Sequence, residues 1–538
     1  ASWTFALNAN IVQPVDVDAA LVLDRSGSMA EMVGSRSKSE ACITAGRLFA
    51  QLIRPDVQDR LCTVKYNNVI NVLQGMTLVT SANQPGIVSQ INSTELAPAD
   101  STSIAGGVMV ALNELATPRS TPSAALNKMM LVLTDGKDNT AYLNPGDGQY
   151  YSLLGGQEHD PNNWFNLVNT NAINPPADIK IYAVGLGKSD EIDTGRLDVL
   201  AQTTGAYSGL VNQDLTGEHY FDLEKYFTQV YMDAVDLAVI SDPVATIHGG
   251  ETHRIPFEVL RGDVGGLVVV YDKLGAGRLP YYLETPLGEI IDVTSLPTGF
   301  QIRHGITETA RFTEFRNPAG EVNRYAGTWN LVVMHQGRLC RDDKKYFTTH
   351  YTHATHDQYT SNFGFVSGDC FAYSDPVDYG FSIGVGSNLR MQAYVTPGIV
   401  KIGEPIHLTA AIAEAGLPSI DCNVTVTART PGGAVSHLTL YDDGFHVDGE
   451  PDDGEYANDF TATNESGGYE FLFRATGYSR DGEPIIREAL RSKYVEGIVP
   501  ITPPANRTDD DRCCLFIKRL VMIGLVLLVI IILLLLRG

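Results

Sequence analysis

The sequence is short of several features that mark particular classes of protein. It has only seven cysteines in 538 residues, too few for a scaffold held together by disulfides. Its 39 Lys and Arg against 63 Asp and Glu give a net charge of −24, without the basic cluster that nucleic-acid binding requires. The motifs G-x-x-x-x-G-K-[ST] and H-E-x-x-H, and a G-x-S-x-G turn with suitable partners, are also missing. A nucleic-acid-binding protein and the hydrolases that depend on those motifs are therefore excluded.

The composition that is present is that of a folded protein with one long hydrophobic run. Hydrophobic residues make up 44 % and charged residues 19 % of the chain, which excludes wholesale disorder. The run from Leu520 to Leu536 contains no polar residue, and as a helix it would be about 25 Å long, near the lower limit for crossing a bilayer. We expect a transmembrane anchor at 515–538, which makes that length comfortable, preceded by a Pro-, Asn- and Asp-rich stalk at 499–514.

Opposed signals in the sequence bear on the orientation of this anchor. Lys518 and Arg519 precede the run whereas only Arg537 follows it, so the positive-inside rule favours a cytoplasmic body. The chain begins at Ala1 without an initiating Met, as expected of a processed N-terminus, and N-x-[ST] glycosylation triplets begin at four positions, Asn92, Asn423, Asn464 and Asn506. We therefore expect a single-pass membrane protein at the cell surface, with its N-terminal body outside the cytoplasm.

Buried strands and helices alternate between residues 14 and 240. Ala19–Leu23 and Lys128–Thr134 are short apolar runs typical of buried strands, whereas Ala41–Ile53 and Ile104–Leu115 have helical spacing. Such alternation predicts a doubly wound, Rossmann-like α/β domain around a mostly parallel sheet.

From residue 241 onward the helical periodicity disappears, and short alternating segments are separated by turns. This pattern predicts two all-β domains, a β-sandwich at 241–340 and an Ig-like β-sandwich at 391–498. An irregular connector at 341–390 is expected between them, with a disulfide joining Cys340 to Cys370. Residues 1–13 also alternate like a strand, and we expect this strand to join the first sandwich.

Three polar segments of the α/β region carry oxygen ligands. The first strand ends at Asp24-Arg25-Ser26-Gly27-Ser28, Thr102 opens a helix, and Asp135 follows a buried strand. Loops beyond the carboxyl ends of parallel strands converge, so two carboxylates and three hydroxyls can meet there. Mg²⁺ prefers such hard oxygen donors. The alternative is that Ser26-Gly27-Ser28 forms only a turn and a helix cap.

This donor set indicates binding rather than catalysis. Two carboxylates balance the charge of a divalent cation, while the neutral hydroxyls leave it electrophilic enough to accept a carboxylate from another protein. No nearby His or Glu pattern supplies a base to activate water. We therefore do not expect an enzyme.

The same segments resemble the von Willebrand factor A domain with its metal-ion-dependent adhesion site. The motifs VLDRSGSM, LVLTDG and IYAVGLG carry the resemblance, which covers roughly residues 15–239. It implies that five residues hold Mg²⁺, or alternatively Mn²⁺ or Ca²⁺: Asp24, Ser26, Ser28, Thr102 and Asp135. The family often has glycines where this chain has Asp100 and Ser101, which leaves the serines beside Thr102 as alternative ligands.

A second acidic segment lies in the predicted Ig-like domain. Seven acidic residues occur between Asp442 and Glu455, among repeated Asp-Gly turns, a composition typical of Ca²⁺ loops. It resembles the D-D-G segments of sandwiches that follow A domains in bacterial surface proteins and in calcium-activated chloride channel regulators, whose metalloprotease domain has no counterpart in this sequence. The candidate Ca²⁺ ligands are Asp442, Asp443, Asp448, Asp452 and Asp453. A solvated acidic hairpin is the alternative.

His350, His353 and His356 with Asp357 form an H-x-x-H-x-x-H-D pattern. The pattern raises a zinc hydrolase as one hypothesis and a polar surface segment as the other, because neither a helix nor a strand places all three imidazoles on one face.

These features together predict a membrane-anchored adhesion module that binds an acidic side chain of a partner protein through a divalent cation. The alternative is a structural subunit of a surface or membrane-associated assembly, homo- or hetero-oligomeric, in which the metal mainly stabilises the domain. Neither hypothesis identifies the ligand, because a fold does not determine its partner.

Overall fold

The computed structural model describes residues 15–153, 173–187, 191–211, 215–272, 279–335, 338–340, 370–372 and 376–497. The predicted N-terminal strand, the histidine pattern at 350–357, the stalk at 499–514 and the anchor at 515–538 lie outside the described residues. Across the part of the chain that is described, no helix is both long and apolar enough to cross a membrane.

The first domain is built on one six-stranded sheet with the order β10-β9-β6-β1-β4-β5. All neighbours are parallel except the edge strand β5, which runs antiparallel to β4. Its strands are β1 (Asp16–Asp24), β4 (Arg60–Tyr66), β5 (Ile70–Leu78), β6 (Leu126–Thr134), β9 (Ile179–Leu186) and β10 (Ser208–Val211), with two hairpins, β2 (Met32–Val33) with β3 (Arg36–Ser37) and β7 (Tyr142–Leu143) with β8 (Tyr150–Tyr151). The predicted α/β fold is confirmed.

Helices cover both faces of this sheet. They are α1 (Lys38–Leu52), α2 (Gln84–Gln90), α3 (Ile104–Leu115), α4 (Thr194–Thr203) and α5 (Asp222–Ala234), and short 3-10 helices lie at Gly27–Ala30 and Gly217–Phe221. A reciprocal pair of hydrogen bonds between Ser37 and Glu40 caps the start of α1. Helices α1 and α5 pack on one face, with Leu21 and Leu23, whereas α3 packs on the other, with Ala20 and Val22. Because both of its faces are covered, β1 is buried along almost its whole length.

The second domain is a sandwich of two antiparallel sheets. One sheet has the order β11-β22-β14-β18-β17, with β12 also paired to β22, and the other has the order β13-β19-β15-β16. The strands are β11 (Ala238–Ser241), β12 (Val244–Ile247), β13 (Thr252–Val259), β14 (Gly265–Asp272), β15 (Tyr281–Glu284), β16 (Ile290–Ile291), β17 (Gln301–Ile306), β18 (Ala310–Arg316), β19 (Gly327–Met334) and β22 (Val377–Val385), with a 3-10 helix at Val322–Tyr325. The residue Trp329 is fully buried in its core, stacked on Phe315.

Strand β22 corrects the predicted connector. Its residues fall within 341–390, expected to be irregular, yet they pair with β14 on one side and with β11 and β12 on the other. The aromatic and His-rich composition of the segment indicates an irregular connector, whereas the glycines of β22 allow it to pack against α5. A Cβ on Gly384 would lie 2.8 Å from the Met232 sulfur, and one on Gly380 would lie 3.3 Å from Phe221.

A separate two-stranded pair, β20 (Arg338–Cys340) with β21 (Cys370–Ala372), places Cys340 opposite Cys370 in the backbone register. The side chains of both cysteines lie outside the described residues, so their disulfide stays a prediction.

The third domain is a second sandwich. One sheet has β25 between β23 and β29, with β26 also paired to β25, and the other has the order β24-β31-β30-β27-β28. The strands are β23 (Leu389–Thr396), β24 (Val400–Lys401), β25 (Ile406–Glu414), β26 (Leu417–Pro418), β27 (Asn423–Arg429), β28 (Val435–Leu440), β29 (Glu455–Phe460), β30 (Gly467–Tyr478) and β31 (Pro484–Glu496).

The α/β domain packs directly against both sandwiches. One hydrophobic core extends from α1 and α5 into β14 and β18 of the first sandwich, where the Tyr271 hydroxyl donates to Thr228 Oγ1 at 2.8 Å. Toward the second sandwich, Lys493 forms a buried ion pair with Asp198. The three domains are therefore joined by buried contacts and not only by the chain.

Candidate metal centre

Asp24 stands at the carboxyl end of the central strand β1. Its Oδ1 accepts a hydrogen bond from the Ser26 backbone N–H at 2.7 Å, and its Oδ2 accepts from Thr134 Oγ1 at 2.9 Å and from the Tyr66 hydroxyl at 3.3 Å. Tyr66 and Thr134 belong to β4 and β6, the two neighbours of β1. The sheet itself therefore orients this carboxylate.

Asp135 follows β6 and comes within hydrogen-bond distance of both serines of the first loop. Ser28 Oγ donates to Asp135 Oδ1 at 2.8 Å and Ser26 Oγ donates to the same oxygen at 3.2 Å, while the two hydroxyl oxygens are 3.2 Å apart. Asp24, Ser26 and Asp135 are each 1 % exposed. Four of the five predicted ligands thus form one connected, nearly buried group.

Thr102, the fifth predicted ligand, is held beside this group by backbone contacts. Its N–H donates to Asn139 Oδ1 at 2.7 Å, and the N–H of Gly27 donates to the Asp100 carbonyl at 2.9 Å, which ties the first loop to the second. The Thr102 hydroxyl lies 3.6 Å from where a Cβ on Gly136 would stand, on the loop that carries Asp135.

The neighbouring serines face other groups. Ser101 Oγ accepts from Thr140 Oγ1 at 2.8 Å, and Ser103 Oγ lies 2.9 Å from where a Cβ on Gly106 would stand, in the first turn of α3. The geometry therefore favours Thr102 over Ser101 and Ser103.

Two carboxylates so close together and so well buried give the site an excess of negative charge. Burial, and secondarily the nearby Asp135, raise the pKa of Asp24 to about 7. Lys38, only 2 % exposed, places Nζ 3.1 Å from Asp135 Oδ2 and 2.8 Å from Glu31 Oε2. Its single charge is shared between these carboxylates. The residues present therefore fit a divalent cation, which would supply the positive charge that the carboxylate of Asp24 lacks beside it.

The sequence analysis missed the groups that hold these ligands in place. Lys38 reaches Asp135 because β2 and β3 turn the chain back before α1 begins, and no spacing rule signals that contact. Asp138 accepts from the Ile104 N–H at 2.9 Å, which fixes the start of α3, and burial raises the pKa of Asp138 to about 6. An Asp three residues beyond Asp135 was the available signal, and it was not used.

The acidic segment of the third domain is organised differently. Asp442 and Asp448 accept hydrogen bonds from backbone N–H groups of their own loop, including that of Gly454 to Asp442 at 3.0 Å and that of Gly444 to Asp448 at 2.8 Å. Asp443 pairs with His446 at 2.9 Å.

The other two predicted Ca²⁺ ligands also belong to this loop. Asp453 accepts from the Glu455 N–H at 2.9 Å, and Asp452 has a φ of 61°, in a turn. Among the described residues, the carboxylates of this loop do not form a group of three within 4.8 Å of one another. Ca²⁺ binding here stays a prediction.

Two segments of the chain match known domain families. Residues 18–216 match the von Willebrand factor type A domain, and residues 390–495 match the second Ig-like domain of conditioned medium factor. Calcium-activated chloride channel regulator 4 of Homo sapiens is 28 % identical over 129 residues, which are 23 % of this chain and 14 % of that protein. The chain therefore spans only a small part of that relative.

Two von Willebrand factor A proteins are among the solved structures that match part of this chain. The von Willebrand factor type A protein from Catenulispora acidiphila is 12 % identical, with 75 % of this chain and 63 % of that chain covered and a TM-score of 0.29. The vWF domain of the type V pili tip protein Mfa5 from Porphyromonas gingivalis is 16 % identical, with 41 % and 95 % covered and a TM-score of 0.27. The chain thus contains a von Willebrand factor type A domain and, C-terminal to it, an Ig-like domain.

Proposed function

We propose that this chain is a cation-dependent protein-binding module. The observation that carries the proposal is the cluster at the carboxyl end of the parallel sheet, where the hydroxyls of Ser26 and Ser28 donate to the buried Asp135 and the equally buried Asp24 accepts from the Ser26 N–H. The residues that would hold the cation are Asp24, Ser26, Ser28, Thr102 and Asp135. Mg²⁺ fits this all-oxygen donor set, with Mn²⁺ and Ca²⁺ as alternatives. When bound, the cation supplies an electrophilic position for a carboxylate oxygen of the partner protein.

The chain's own residues prepare that position. Tyr66 and Thr134 orient Asp24, Lys38 holds Asp135, and Asn139 holds the backbone of Thr102. Among the described residues, the groups that contact the two carboxylates are hydroxyls, a backbone amide and an ammonium. The two carboxylates themselves would be engaged as ligands of the cation, which leaves no free general base in contact with them. This supports a binding module and not an enzyme.

We expect the module to lie at the cell surface. The apolar run at 515–538 would anchor it in a membrane, with the body outside the cytoplasm and the Ig-like domain between the A domain and the stalk. The acidic loop of the Ig-like domain, Asp442–Glu455, would bind Ca²⁺ as a second, separate ion.

One observation favours a second candidate, a structural subunit of a surface assembly. The A domain is joined to both sandwiches by buried contacts, among them the Lys493–Asp198 ion pair and a hydrogen bond from Arg303 to the Leu52 carbonyl at 2.7 Å. A domain joined to its neighbours by such contacts is also consistent with a structural subunit, in which the metal would mainly stabilise the fold.

Metal binding and partner recognition are tested separately. Calorimetric titration with Mg²⁺ should show one site in the wild type that is lost in Asp135→Ala and weakened at least tenfold in Thr102→Ala. Ser101→Ala is the matched control and should bind like the wild type. Equal binding by the wild type and Asp135→Ala would refute the site.

Selection of displayed random peptides on the immobilised protein tests the partner. Mg²⁺ should enrich peptides that contain Asp or Glu, and EDTA or Asp135→Ala should abolish that enrichment. If metal binds without any such enrichment, and the purified protein forms a large stable complex in light scattering, the structural subunit is the better description.

A further inference from the structure

A histidine and two carboxylates from different domains meet where the A domain contacts the Ig-like domain. His219 lies in the 3-10 helix before α5, Asp222 begins α5, and Glu470 lies on β30 of the Ig-like domain. One ligand atom from each lies within 4.8 Å of the other two. His219 Nδ1 is 2.8 Å from Asp222 Oδ2 and 3.9 Å from Glu470 Oε1.

The domain interface fixes Glu470 in this position. In the β30–β31 pair, Glu470 stands directly opposite Ser492, and Ser492 Oγ accepts a hydrogen bond from the Leu210 N–H of the A domain at 2.7 Å. The guanidinium of Arg491 lies 3.7 Å from the centre of the Tyr207 ring, also across the interface. The approach of Glu470 to His219 is therefore set by contacts that neither residue makes itself.

The two oxygens of Glu470 face different groups. Oε2 lies 3.9 Å from Arg429 Nε, whereas Oε1 lies on the His219 side. Arg429 can therefore hold the carboxylate in place while Oε1 coordinates an ion. A cavity of about 40 Å³ lies beside the group, with Asp222 and Glu470 and also the cationic residues Lys225 and Arg491 in its lining, and it has room for a water ligand.

The donor chemistry differs from that of the adhesion site. Imidazole nitrogen and carboxylate oxygen are both donor types that Zn²⁺ accepts, whereas Mg²⁺ prefers oxygen alone. Ligands at 2.0–2.1 Å in a tetrahedron are roughly 3.4 Å apart, and the two measured separations, 2.8 and 3.9 Å, lie on either side of that value. His219, Asp222 and Glu470 are 29 %, 21 % and 32 % exposed, so an ion can enter from solvent.

We propose that His219, Asp222 and Glu470 bind a divalent transition-metal ion, with Zn²⁺ as the first choice, that clamps the A domain to the Ig-like domain. The ion would bridge residues about 250 positions apart in the chain and would add to the hydrogen bonds and ion pairs of the interface. This site is independent of the adhesion site, because it shares no ligand with it.

Zinc titration of the full chain in excess Mg²⁺ tests the proposal, since Mg²⁺ occupies oxygen-only sites. Wild type should bind one zinc ion more than His219→Ala, and Glu470→Gln should weaken that binding at least tenfold. The matched control is His407→Ala, whose imidazole also pairs with an aspartate, Asp459, at similar exposure but belongs to no group of three ligands among the described residues. It should bind zinc like the wild type.

Thermal unfolding then tests the clamp. Zinc should raise the Tm of the wild type and of His407→Ala, but not that of His219→Ala or Glu470→Gln. Equal zinc stoichiometry and affinity in the wild type and His219→Ala would overturn the site. Unchanged binding by Glu470→Gln would overturn the bridge between domains, and this variant decides the question if His219→Ala fails to fold.

Discussion

Replacing Asp24 with Asn should stabilise the metal-free protein while abolishing cation binding. Asn keeps the shape of Asp and an oxygen to accept from the Ser26 N–H, but it carries no charge. Burial and Asp135 raise the pKa of Asp24 from 3.8 to about 7. At 1.36 kcal/mol per pKa unit, the ionised side chain therefore costs the metal-free fold about 4 kcal/mol at pH 8.

Part of this gain is offset by a weakened hydrogen bond. The Asn amide can donate to Thr134 Oγ1, and the Tyr66 hydroxyl keeps the Leu133 carbonyl as its acceptor at 2.8 Å. The Ser26 N–H, however, then donates to a neutral oxygen and no longer to a charged one, a loss of about 1 kcal/mol. The net stabilisation expected for Asp24→Asn is therefore about 2–3 kcal/mol. The pH dependence follows from linkage, because a carboxyl whose pKa is higher in the folded state makes the folded protein less stable as pH rises from 3.8 through 7. The advantage of Asn should therefore be largest at pH 8 and smaller at pH 5.

Urea unfolding in EDTA and in MgCl₂ measures both effects. In EDTA at pH 8, Asp24→Asn should unfold at higher urea than the wild type. Mg²⁺ at about 100 times its Kd should stabilise the wild type by about 2.7 kcal/mol and should not stabilise Asp24→Asn. Asp18→Asn is the matched control, because Asp18 is also buried on β1 but is paired with Arg60, so its loss should destabilise by about 3–5 kcal/mol. If Asp24→Asn is the less stable protein in EDTA, the metal-free site is not strained by its charge and the reasoning fails.

Three further predictions concern the interfaces and cores. Lys493→Met leaves Asp198 buried without its ammonium partner and should lower the free energy of unfolding, measured by urea denaturation, by about 3 kcal/mol. Adding Asp198→Asn to this variant should restore most of that stability. Burial lowers the pKa of His304 to about 4, so the free energy of unfolding should fall as pH drops from 6.5 toward 4. His304→Gln should remove about 2–3 kcal/mol of that fall, measured by comparing unfolding curves at pH 7 and pH 4.5. Gly107→Ala should lower the Tm, although Ala favours a helix, because the added Cβ would lie 2.9 Å from Tyr66 and Val22. The cost of overpacking, about 1–3 kcal/mol, exceeds the gain in helix propensity of up to about 1 kcal/mol. A higher Tm would show that the core can adjust.

Local patterns were sufficient to predict the class of each domain. The strands Ala19–Leu23 and Lys128–Thr134 were identified as buried because a run of apolar residues between turns is a local property, and they lie within the observed β1 and β6. The convergence of Asp24 and Asp135 also followed from the chain alone, since parallel neighbouring strands end at the same edge of a sheet. These inferences needed no knowledge of which distant residues would meet.

Other features arise only when distant segments pack together. Strand β22 lies in an aromatic and His-rich segment that was expected to be irregular, and it forms because it pairs with the distant strands β11, β12 and β14. Lys38 contacts Asp135, 97 positions away, and no periodicity in the sequence encodes that pairing. The sequence was thus enough to establish the α/β and β domains and the candidate ligands, because these depend on short-range patterning. The charge balance at Asp135 and the meeting of His219 with Glu470 were decided by tertiary structure, because they depend on which surfaces the folded domains bury against each other.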